Sequence, residues 1–152
     1  MALQHEGERN LVGGYTQMST EEIQDDAPVV AAAQFAMDQV LAVDTPNRPS
    51  YTFLENLSTT KSGAERFEIR IVRAFAQVVA GMNYRIVVAL LLGSDDDDKK
   101  EAVCQGAFAV TIYDAFGTLS ISQWGHEMDC PRTMAALTND DMNDAFAVHF
   151  NS

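Results

Sequence analysis

The strongest constraint in this chain is a pair of strand-like runs joined by a short tip that ends in glycine. The first run, Phe67-Glu68-Ile69-Arg70-Ile71, alternates apolar and charged side chains, so it offers one face to a core and the other to water. The second, Asn83 through Leu92, is mostly β-branched or aromatic, a composition that favours strand over helix. Between them lies Gln77-Val78-Val79-Ala80-Gly81, whose glycine accepts the positive φ that a tight antiparallel turn requires. A hairpin tip is expected to be polar, yet this one presents Val78 and Val79 to solvent. Such a conflict between local pattern and exposure is characteristic of interaction sites.

The rest of the chain supplies what a single core needs. With 152 residues it is of one-domain length, able to bury about 70% of its unfolded surface without help from disulfides or metals. The 22 acidic and 10 basic residues give a net charge of −12, which repels nucleic acid and anionic membranes. No run of 18 apolar residues is present to span a bilayer. The start, from Met1 to Glu8, lacks the basic and apolar regions of a signal peptide, as would a mature form whose leader had been removed. Residues 1–20 are polar, glycine-containing and aperiodic, and read as a flexible N-terminal arm. Residues 21–130 read as the folded domain, in which the pattern breaks over about 44–66, and residues 131–152 as a tail that follows it.

Within the domain, residues 21–43 carry the only long helical pattern. Asp25, Asp26 and Pro28 suit its start, and Val29, Ala33, Ala36, Val40 and Val43 form a stripe that needs a sheet to cover. Within residues 44–66, Tyr51-Thr52-Phe53-Leu54 reads as a short strand between two turn-rich stretches. Asn56-Leu57-Ser58 is a glycosylation sequon that requires a secretory route. Asp95 to Asp98 form a repelling acidic run, which reads as an exposed loop and not as a calcium site. Ala107–Tyr113 and Thr118–Trp124 read as a second hairpin around Asp114-Ala115-Phe116-Gly117, with Trp124 assigned to the sheet. In the tail, Thr138 caps a short helix, with Phe146 and Phe150 packing back on the domain. This order of elements predicts an α+β fold, a four- or five-stranded antiparallel sheet wrapped around one long α-helix. No carboxylate and histidine pair stands at a convincing spacing, so no catalytic residue, metal or cofactor is assigned.

Gln77-Val78-Val79-Ala80-Gly81 resembles the central Gln-x-Val-x-Gly loop of the cystatins, reversible protein inhibitors of papain-like cysteine proteases. Phe67 to Ala74 resembles the preceding strand of the plant cystatins, and Gly81-Met82-Asn83-Tyr84 resembles the family's Gly-x-Asn-Tyr. The likeness runs from about Leu11 to Cys130 and implies a cystatin-like fold, in which about 44–66 is an insertion and 131–152 a C-terminal extension. It further implies an N-terminal trunk, Leu11-Val12-Gly13-Gly14, whose aliphatic pair fills non-primed subsites of the protease while glycine bends the backbone past the catalytic cysteine. A second binding loop at Ala115-Phe116 is implied as well, with Phe116 standing where the family usually carries Pro-Trp. The implied partner is a papain-like cysteine protease, bound non-covalently by a monomer. A domain-swapped dimer through the first hairpin is a further option. The alternative is a non-inhibitory structural or interaction protein on the same scaffold. Secreted cystatins carry a disulfide across the strands that hold Cys104 and Cys130. By that likeness the two form a bridge, favouring secretion or a vacuolar or lysosomal location over the cytoplasm; two buried free thiols remain the other reading.

Overall fold

In a computed structural model of the chain, the structure describes residues 10–11, 14–57, 65–94, 103–130 and 138–146. Its strands are β1 (Asn10–Leu11), β2 (Tyr15–Gln17), β3 (Glu65–Val79), β4 (Gly81–Ser94), β5 (Val103–Ala115) and β6 (Thr118–Met128). Its helices are α1 (Thr20–Asp25), α2 (Ala27–Leu41), α3 (Thr52–Leu57) and α4 (Asn139–Ala145). The strands form one antiparallel sheet in the order β1-β2-β3-β4-β5-β6.

A four- or five-stranded sheet wrapped around one long helix is not what this chain builds. Among the described residues six strands pair, and the helical ones are divided among four helices. The longest, α2, has 15 residues and so spans about 22 Å, whereas the 15 residues of β3 extend over about 50 Å. The helix therefore covers less than half of the sheet's length. A longer one is prevented at both ends. Asp26 takes extended backbone angles and its carboxylate accepts from Val29 N at 2.9 Å, so it caps α2 and separates it from α1. A continuous helix would drive the ring of Pro28 into the carbonyl four residues earlier. At the other end Ala42 is again extended, which leaves Val43 outside the helix and 82% exposed.

Much of the remainder of this face is covered by Tyr51 and α3. Thr52–Leu57 is helical, correcting the strand expected around Tyr51 to Leu54, because Glu127 of β6 accepts at 2.8 Å from Thr52 N, at 2.7 Å from its hydroxyl and at 3.3 Å from Phe53 N. These bonds satisfy amides at the helix start that have no intrahelical partner. They seat Tyr51 and Phe53 in the core, where both stack on Phe108, with centroids 5.0 and 6.2 Å away. The opposite face is closed by α4, capped by Thr138 as its sequence predicts. Along β4, Tyr84, Ile86, Val88 and Leu90 face α2, while Val87, Ala89 and Leu91 belong to clusters on the other side. Burial on both faces explains why this strand reads as a nearly unbroken apolar run.

Cys104 and Cys130 form a disulfide that ties the start of β5 to the residue region after β6. Trp124 lies in β6 against the main core, 6.0 Å from the Phe108 ring. Tyr51 donates its hydroxyl hydrogen to Gly125 O at 2.5 Å, and burial, with Glu127 nearby, pushes its phenol far above the ordinary value of 10.0. The folded state therefore holds this proton more tightly than the unfolded chain. Its contribution to stability is complete below pH 10 and is lost as the pH rises beyond it. Thermal unfolding should accordingly stay flat towards pH 10 and then fall steeply, and Tyr51→Phe should flatten that alkaline fall. An unchanged alkaline slope in the variant would assign the effect to other groups.

Candidate functional site

Three chain reversals lie side by side at one end of the sheet. Leu11 pairs with Tyr15, Val79 with Gly81 and Ala115 with Thr118, and the pairings of Thr16 with Ala76 and Met82 with Asp114 bring them together in register. Each has a glycine in the left-handed region: Gly14 at φ 83°, Gly81 at 104° and Gly117 at 105°. Leu11 and Gly14 of the implied trunk thus belong to a reversal, the strand of Leu11 running back along β2. Val12 and Gly13 lie outside the described residues.

The two longer tips carry the apolar exposure. Val78 is 80% exposed, Val79 42% and Phe116 88%, with Ala80 also exposed and Ala115 half-buried. Polar bonds hold them at fixed positions. Gln77 points its amide across the base of the first tip, accepting from Asn83 Nδ2 at 2.9 Å. A Cβ built on Gly14 would stand 3.6 Å from Gln77 Nε2, so the arm reversal rests against this side chain. Tyr113 donates its hydroxyl hydrogen to Ala80 O and joins the second hairpin to the first. At the second tip Asp114 Oδ1 accepts from Gly117 N at 2.6 Å, which holds Phe116 outward at φ 55°. Gly81 is pressed so closely on Asp114 O that a Cβ would fall 2.4 Å from it. Beneath the tips Tyr84 is buried, and burial followed by the carboxylates of Asp26 and Asp114 raises its phenol pKa.

Sequence reasoning gave no site role to three of these residues: Asn83, Tyr113 and Asp114. Asp114 carries a readable signal, an aspartate three residues before a glycine in a turn. Tyr113 does not, because its partner is a carbonyl 33 residues away. Asn56, the acceptor of the sequon, lies in α3.

At the far end of the sheet a hollow is lined by His126, Glu127, Met128, Asp129, Asp141 and Asp144. Glu127 is already committed to Thr52 and Phe53, and among the described residues no group of His, Cys, Asp and Glu is arranged to hold a metal ion. No helix among the described residues is long and apolar enough to cross a membrane. No model of a known protein family matches the chain, and no curated protein matches it in sequence.

Proposed function

We propose that this protein is a reversible, tight-binding inhibitor of papain-like cysteine proteases that plugs the active-site cleft non-covalently with the row of tips. The observation that carries this reading is the fixed, outward display of Val78, Val79 and Phe116 from adjacent hairpins beside Gly14. Soluble domains seldom expose apolar side chains at tips braced by their own hydrogen bonds, and such groups suit a pocketed partner that strips them of water. The resemblance of Gln77 to Gly81 to the cystatin central loop supplies the class of partner. No covalent chemistry is involved, and no cofactor is required. The disulfide is compatible with a secreted or vacuolar location.

The test is a titration of papain with the purified protein, following cleavage of a fluorogenic peptide. Reversible inhibition at nanomolar concentration is expected. Val78→Asp should weaken it by about thirtyfold, since a carboxylate would have to be desolvated where a hot-spot valine was buried. Gly14→Glu should weaken it too, because it places a side chain at positive φ beside Gln77. Absence of inhibition at micromolar concentration of papain and related enzymes would overturn the proposal. A second reading, a non-inhibitory interaction protein, is favoured by the strand of Leu11 folding back on Tyr15 instead of running out beyond the tips.

A further inference from the structure

We propose that Phe146 is a positioning residue for the N-terminal arm, acting through Arg85 and Tyr15, so that the C-terminal segment holds the Gly14 reversal in line with the other two tips. The face of the sheet turned away from α2 carries a cross-strand row of Phe75, Arg85, Thr111 and Gln123, one residue from each of the four long strands. Phe146, immediately after α4, sits over this row. Its ring meets Phe75 edge-on, with centroids 6.1 Å apart at 84°, and its carbonyl accepts from Gln123 Nε2 at 2.9 Å. The Arg85 guanidinium lies 4.4 Å from the centroid of Tyr15 and 5.7 Å from that of Phe146. One cation is thus shared by an arm ring and a tail ring, and α4 also reaches β1.

This arrangement bears directly on the arm. Among the described residues the arm's pairing with β3 is short, through Thr16, Gln17 and the bond from Met18 N to Ala74 O, and β1 pairs in turn with β2. Tyr15 is 5% exposed although it adjoins exposed Gly14, and it belongs to the same apolar cluster as Phe75, Met142 and Phe146. Such short edge strands open easily unless a side chain anchors them. The cation–π pair and the edge-on ring contact favour one seating of Tyr15 over a spread of conformations. The consequence for binding rests on the inhibitor reading; the brace itself does not.

Hydrogen exchange on the full chain tests the brace. In Phe146→Ala, amides 15–18 should exchange about tenfold faster while those of β4 and β5 keep their protection, and Phe146→Trp should restore the slow rate. Unchanged arm exchange in Phe146→Ala would overturn the proposal. Should that variant lose β4 and β5 protection as well, Arg85→Met removes the shared cation and keeps an apolar stem. Faster arm exchange in it supports the brace, and an unchanged rate refutes it. Papain inhibition then separates positioning from general support. Phe146→Ala should weaken inhibition about tenfold with the arm intact, but less than twofold in a background carrying Leu11→Gly and Val12→Gly. Equal losses in both backgrounds would remove the positioning role. If the unmodified protein fails to inhibit papain, the inhibitor reading falls, and the exchange rates still decide the brace.

Discussion

Gly106→Ala is expected to destabilise the protein by about 3 kcal/mol, the upper end of what overpacking a core costs. A Cβ at this position would lie 2.2 Å from Phe53 Cγ, 2.4 Å from Cδ1 and 2.6 Å from Cβ. Those separations are far inside the roughly 3.5–4.0 Å at which carbon atoms attract one another. Phe53 cannot swing aside, because its ring is stacked at 6.0 Å on Tyr51 and 6.2 Å on Phe108. Relief requires α3 to lift away, which strains the bonds from Thr52 and Phe53 to Glu127 as well. Urea unfolding followed by tryptophan fluorescence reads the effect, since Trp124 packs on Phe108. A double variant with Phe53→Ala should be less destabilised than the sum of the two single variants, because the truncated side chain makes room for the new methyl group. A Gly106→Ala protein within about 0.5 kcal/mol of the parent, inside the scatter of ordinary surface substitutions, would mean that α3 is not seated as described.

Removing the Cys104–Cys130 bridge by a paired substitution to serine should cost a similar amount. The two cysteines are 26 residues apart, and closing a loop of that length restricts the unfolded chain by about 3.5 kcal/mol. For a domain of this size that corresponds to a fall of about 11 °C in Tm. The bridge lies at the end of the β5–β6 hairpin remote from the tips, where Ala107 pairs with Met128. Hydrogen exchange should therefore rise at the distal ends of β5 and β6 and stay unchanged at Asp114 to Thr118. A Tm within about 2 °C of the parent would show that the unfolded chain is not constrained in this way.

Several local features were legible because their causes are local. The glycine-closed tip at Gly81, the hairpin around Phe116 and the cap at Thr138 each depend on residues within a few positions of one another. The exposure of Val78 and Val79 follows from their place at the end of two strands. The 44–66 segment was opaque for the opposite reason. Its Tyr51 and Phe53 are core residues, and α3 is held by Glu127, which lies 74 and 75 positions further along the chain. Composition around Thr45-Pro46 and Ser58-Thr59 reads as loop, and nothing nearby reveals a partner so distant.

The four long strands, the hairpin turns between them and the apolar side chains at two of those turns could be read from local sequence, whereas the short strands of the arm and the helix at Thr52–Leu57 could not. Alternating or β-branched composition and glycine φ preferences act over a few residues and need no tertiary context. How many layers cover the sheet and how its ends are braced depend on contacts between distant parts of the chain. The difference between one helix wrapped by a sheet and a sheet covered on both faces lies in the mismatch of about 22 Å of helix against 50 Å of strand. That mismatch leaves apolar surface which Tyr51 and α3 fill on one side and Phe146 with α4 fills on the other. The placing of Arg85 between Tyr15 and Phe146 depends on cross-strand register and on a contact between the chain's two terminal segments, neither of which any local pattern encodes.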